Sequence, residues 1–206
     1  LRTLVRLCEL SELNEVAKYA QSAIELADKL LDNKPNAAMR AMLLNHKAQA
    51  TTNLGFTYEE QGDILKTLDQ YFISLKLYEE SKNKKGSASS LNDIGFIFEH
   101  QGDIPKALDY YEKSLKINEE IGNEEGIANL VNNIGFVYKT LGDRTNALNY
   151  YNRSLKIYEN IKLPNRQKEK NHQARESRTN GSEPSFSCYA QKAPVPSLNR
   201  SFKHVI

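Results

Sequence analysis

The chain has 206 residues, 28 Lys+Arg against 26 Asp+Glu and a formal net charge of +2, enough for one ordinary domain or a short repeat array with a tail. Two cysteines, Cys8 and Cys188, are too few for a disulfide scaffold or a zinc site, and imply reduced thiols. No apolar run approaches the roughly 18 residues that cross a bilayer and no signal-peptide pattern opens the chain, so a cytoplasmic location without membrane contact is expected. The chain begins at Leu1 rather than Met, as a fragment or processed product would. Its charge is unevenly placed: Lys+Arg against Asp+Glu is 19 to 23 over residues 1–161 and 9 to 3 over 162–206.

In chain order, Leu1–Leu10 reads as a truncated helix. Val16-Ala17-Lys18-Tyr19-Ala20 and Ala23-Ile24-Glu25-Leu26 come next with helical spacing. They align with Ala107-Leu108-Asp109-Tyr110-Tyr111 and Ser114-Leu115-Lys116-Ile117, so residues 1–37 form a degenerate partial repeat. Asp32, Asn33, Lys34 and Pro35 break the helical pattern. Downstream, one phrase occurs in three copies. Leu54-Gly55-Phe56-Thr57-Tyr58 recurs as Ile94-Gly95-Phe96-Ile97-Phe98 and as Ile134-Gly135-Phe136-Val137-Tyr138, forty residues apart each time. Gly62-Asp63, Gly102-Asp103 and Gly142-Asp143 keep that spacing, as do Ser74-Leu75-Lys76, Ser114-Leu115-Lys116 and Ser154-Leu155-Lys156. A fixed period of this size marks units that bury their apolar faces against their neighbours.

Each unit reads as two amphipathic helices. In the third, Ala128, Val131, Ile134, Gly135, Val137 and Tyr138 fall at three- and four-residue steps, and Ala147, Leu148, Tyr151, Leu155 and Ile157 supply the second helix with its stripe. Gly142 suits a left-handed stop and Asp143 a cap; Pro105 falls in a first turn, where it is tolerated. Loops at Ser81–Gly86 and Ile121–Gly126 divide the chain into repeats 38–86, 87–126 and 127–161. The pattern stops near Ile161, just before Pro164. Residues 162–206 form a basic stretch without period, which we read as a disordered tail because it buries too little apolar surface to offset ordering entropy.

These repeats resemble the tetratricopeptide repeat (TPR). The third unit supplies Ile134-Gly135, Tyr138, Ala147 and Tyr151; the second Ile94-Gly95, Phe98, Ala107 and Tyr111; the first Leu54-Gly55, Tyr58, Thr67 and Tyr71. Ser74, Ser114 and Ser154 depart from the usual Ala, and Glu79, Glu119 and Glu159 from the usual Pro. The forty-residue period is similar to the variant in kinesin light chains and bacterial signalling regulators. The resemblance implies an all-α, right-handed α-solenoid of stacked antiparallel helix pairs with small residues at the crossings.

It also implies a concave groove, lined by the first helix of each pair, that holds a partner's peptide or helix. Carried over by position, the groove residues are Thr52, Asn92 and Asn132; Phe56, Phe96 and Phe136; and Glu59, Glu99 and Lys139. An Asn amide holds a peptide backbone through both its groups whatever the peptide's sequence. A Phe row supplies apolar contact, and serves inter-repeat packing equally well. The family's carboxylate clamp needs Lys and Asn at spacing four, whereas these positions read Asn92…Phe96 and Asn132…Phe136, which argues against chaperone-tail binding.

His46, His100, His172 and His204 have no metal-ligand spacing, and no phosphate loop, nucleophile elbow or paired carboxylate of recognisable context occurs. We therefore expect a protein-interaction module, with no enzymatic activity, metal or cofactor. The alternative is a regulatory fragment of a larger bacterial signal-transduction protein whose histidine kinase, cyclase or transcription-regulator output lies elsewhere. The net-negative repeat body argues against nucleic acid. The last helix lacks a polar cap over Leu148, Leu155 and Ile157, which leaves self-association through an uncapped last repeat open.

Overall fold

The computed structural model describes the backbone of residues 1–5 and 13–179, and side chains at 1–5 and 15–162. Among the described residues all regular structure is helical. A short helical segment at residues 2–5 precedes α1 (Leu13–Asp32), α2 (Ala37–Glu60), α3 (Ile64–Glu80), α4 (Lys84–His100), α5 (Ile104–Glu120), α6 (Glu124–Thr140) and α7 (Arg144–Thr179). The chain divides into two compact units, Leu1–Leu130 and Val131 onward, with the division inside α6.

Three-residue turns built on one pattern separate the helices from α2 onward. The middle residue takes the left-handed conformation: Gly62 (φ 76°), Lys82 (φ 59°), Gly102 (φ 78°), Gly122 (φ 65°) and Gly142 (φ 80°). Glycine fits there without steric cost; Lys82 does not. The residue after it caps the next helix. Asp63 accepts from Lys66 N at 3.2 Å, Asn83 from Gly86 N at 3.0 Å, Asp103 from Lys106 N at 3.3 Å and Asp143 from Asn146 N at 3.0 Å. Helices α4 and α6 thus begin at Lys84 and Glu124, so the divisions after Ser81 and Ile121 are shorter than the loops expected there. Upstream, Asn36 caps α2 by accepting from Met39 N at 2.9 Å.

In the first unit α2 packs on α1 and α3, α4 on α3, and α5 on α4. The core under α1 joins Val16 and Ala20 to Leu54, and Ala23 to Val5 and Ala50. Tyr71, Ile94 and Ile97 form the next layer, flanked by Leu68, Leu75 and Phe96. Within each pair the helices cross at glycine. A Cβ on Gly55 would lie 2.7 Å from Tyr71 Cε1, and one on Gly95 2.8 Å from the Tyr111 ring; both tyrosines are fully buried. In the second unit the same atom on Gly135 would lie 3.0 Å from Tyr151, and Tyr138 stacks on Tyr150 at 5.3 Å.

The helices are not all of the length that the forty-residue period sets. Helix α2 has 24 residues where α4 has 17, so the first repeat carries about two extra turns at the N-terminus of its inner helix. Ala37, Ala38, Met39 and Arg40 are good helix formers, which accounts for this. Helix α7 continues past Ile161 and Pro164 to Thr179, so the helix outlasts the repeat pattern, and the tail expected from 162 to be disordered begins within it. Arg166, Gln167, Lys168 and Glu169 have helical propensities high enough to carry the backbone onward. The rest of that expectation, residues 180–206, lies outside the described residues.

Candidate peptide-binding face

The nine candidate groove residues fall on the first helix of each pair. Thr52, Phe56 and Glu59 lie on α2, Asn92, Phe96 and Glu99 on α4, and Asn132, Phe136 and Lys139 on α6. Steps of four and three residues place each triplet on one helix stripe. Every one is half-buried except Lys139, which is exposed. The first six belong to one compact unit and the last three to the other.

The acidic row is tied to the helix crossings. The Tyr71 hydroxyl donates to Glu59 Oε2 at 2.6 Å and the Tyr111 hydroxyl to Glu99 Oε2, also at 2.6 Å. Burial raises the Glu99 carboxyl above the usual range, against the lowering effect of the Tyr111 hydrogen bond. Burial also raises the Tyr111 hydroxyl, reinforced by the Glu99 charge. These glutamates therefore anchor the buried tyrosine that the glycine accommodates. In the third repeat Lys139 replaces the acid, and its ammonium sits 5.6 Å over the Phe136 ring.

Thr52 belongs to a polar seam. Its hydroxyl lies 3.1 Å from Ala48 O and 2.6 Å from Ser74 Oγ, and it bonds the Tyr78 hydroxyl, which burial pushes up to about 12. Ser74 in turn donates to Ala48 O at 3.2 Å, and Ser114 donates to Ala88 O at 2.6 Å. Serine departs from the family's alanine here because a fully buried hydroxyl ties each outer helix to the backbone of its inner helix. Phe96 packs beside Tyr71, Ile94 and Ile97 and lies 4.0 Å from the His100 ring. It therefore contributes to packing while remaining half-buried.

A second set of close crossings is not evident from the repeat pattern. A Cβ on Gly86 would lie 2.3 Å from Tyr78 Cδ1, and one on Gly126 2.2 Å from Asn118 Oδ1. These glycines let the start of an inner helix approach the end of the outer helix before it, instead of ending a loop. Their forty-residue separation, each eight positions after Tyr78 or Asn118, is the available signal. Among the described residues no group of three or more His, Cys, Asp or Glu could hold a metal ion, and no helix is long and apolar enough to cross a membrane.

The fold and its crossings define a helical repeat scaffold. Sequence profiles of the tetratricopeptide repeat match residues 46–120 and 86–160, together more than half of the chain, and the protein belongs to that family. Among solved structures it is similar to BtubC (BKLC) from P. vanneervenii, with 22% identity, a TM-score of 0.60, and coverage of 74% of this chain and 59% of that one. The apo form of RapI is similar at 15% identity and a TM-score of 0.53, covering 76% and 61%. A Podospora anserina protein of kinesin light chain type, with nearly identical TPR-like repeats, is similar at 10% identity and a TM-score of 0.53, covering 88% and 95%. The chain thus spans about three fifths of BtubC and RapI. No curated protein sequence matches.

Proposed function

We propose that this chain binds an extended peptide or helix of a partner protein on the stripe carried by α2 and α4, with Asn92 as the polar anchor and Phe96 as the apolar one. The observation that carries this reading is the placement of the two anchors: Asn92 and Phe96 are both half-buried and lie four residues apart on one stripe of α4. A half-buried amide offers both a donor and an acceptor to a peptide backbone. Asn132, Phe136 and Lys139 repeat the arrangement on α6, with a cation in place of the acid. This role needs no catalytic group, metal or cofactor, and fits a cytoplasmic protein with reduced thiols. A regulatory part of a larger signalling protein would use the same stripe to receive its partner.

The test is selection of binding peptides from a display library against the full chain, then titration of a selected peptide against Asn92→Ala and, separately, Asn132→Ala. Loss of a backbone-holding hydrogen bond pair should weaken binding by about 1–3 kcal/mol, roughly ten- to hundredfold, with little change in melting. Equal affinity for Asn92→Ala and the parent would remove the α4 anchor from the account.

A further inference from the structure

In the first unit two leucines of each outer helix are half-buried, although Leu65, Phe72 and Ile73 of α3 are exposed. Leu68 and Leu75 of α3 are half-buried beside the layer containing Ile94 and Ile97 of α4, and Leu108 and Leu115 of α5 are half-buried as well. The same repeat positions on α7 are open: Leu148 is 61% exposed and Leu155 57%. Tyr151 is partly exposed, whereas Tyr71 and Tyr111 are fully buried. Among the described residues no inner helix comes after α7.

We propose that a second copy of this chain covers this stripe, with the two α7 helices antiparallel across a two-fold axis. Arg144, Leu148, Tyr151, Leu155 and Glu159 are separated by steps of four, three, four and four residues, which confines them to about 80° of the helix circumference. Antiparallel pairing centred between Tyr151 and Asn152 sets Leu148 of each copy against Leu155 of the other. The same register sets exposed Arg144 of each copy against exposed Glu159 of the other, twice by symmetry. A parallel pairing would oppose Arg to Arg and Glu to Glu, so the charges select the antiparallel arrangement. One helix face per copy is a small interface, and a dissociation constant on the order of micromolar is expected. The continuous backbone of α7 to Thr179 keeps residues 163–179 from folding back over the stripe. Residues 180–206 of the same chain are the competing occupant, and would leave a monomer.

The experiment is sedimentation equilibrium of the full chain from about 1 to several hundred micromolar. The parent should dimerise, more weakly in high salt. Arg144→Glu and Glu159→Arg should each raise the dissociation constant about tenfold or more. An equimolar mixture of the two variants should form a heterodimer, and the double swap in one chain should restore the homodimer. Leu148→Glu with Leu155→Glu should give a monomer with unchanged helical circular dichroism. A parent that stays monomeric throughout would overturn the proposal, as would a dimer indifferent to the charge reversals or a double swap that fails to restore it.

Discussion

Gly95→Ala sets two effects of opposite sign against each other. Helix propensity favours Ala over Gly in a helix interior by about 1 kcal/mol, so an isolated α4 would gain from the change. The packing argues the reverse. The new methyl would lie 2.8 Å from Cδ1 and Cε1 of Tyr111 and 3.3 Å from Ala107 O. That ring is fully buried, its hydroxyl is held by Glu99 at 2.6 Å, and the carbonyl belongs to the facing helix. Neither neighbour yields without moving α5 as a whole. Overpacking of this kind costs about 1–3 kcal/mol, which offsets the propensity gain and leaves a net loss of up to about 2 kcal/mol. For an array of this length that is a fall in Tm of about 2–4 °C per kcal/mol, read by circular dichroism melts and urea titration. Tyr111→Leu should relieve the clash, so a double-mutant cycle should show positive coupling between the two sites. A Gly95→Ala variant that melts above the parent would refute the crossing geometry, because propensity alone would then govern the position.

The turns, the polar seam and the acidic row give further expected outcomes. Lys82→Gly should raise stability by about 1 kcal/mol in denaturant melts, since Lys82 occupies the left-handed conformation at 59° that the other turns give to glycine. Ser114→Ala should cost about 1 kcal/mol or somewhat more by removing the buried bond to Ala88 O, despite the better helix propensity of Ala. Glu99→Gln should stabilise the array at neutral pH and lose that advantage in acid. Burial raises the folded Glu99 carboxyl above 4.5, so its stabilising contribution is complete below the unfolded value and is lost as pH rises through the folded one. Melting curves of parent and variant at several pH values check the sign.

Much of the fold is legible because each repeat states its geometry three times. A glycine facing a tyrosine, a Gly-Asp turn and an Ala or Thr at the crossing recur at one spacing, and agreement between copies removes the ambiguity of any single helix pattern. Legibility ends where repetition ends. The extra turns at the start of α2 have no copy elsewhere, and Gly86 and Gly126 read as loop ends because glycine ordinarily breaks helices. Their role depends on which side chain faces them across the crossing, a fact that periodicity does not carry. The acidic row of the candidate face illustrates the same limit. The positions of Glu59 and Glu99 are readable, but the tyrosine hydroxyls that occupy them appear only when α3 and α5 are folded alongside.

Site-specific photocrosslinking addresses the binding face most directly. A crosslinking amino acid placed at Phe96 on α4, and in a second variant at exposed Lys113 on α5, would be irradiated with a peptide selected for binding to the full chain. Adducts at position 96 and none at 113, competed away by unlabelled peptide, are the predicted result. Adducts at 113 with none at 96 would place the partner on the outer helices and contradict the account.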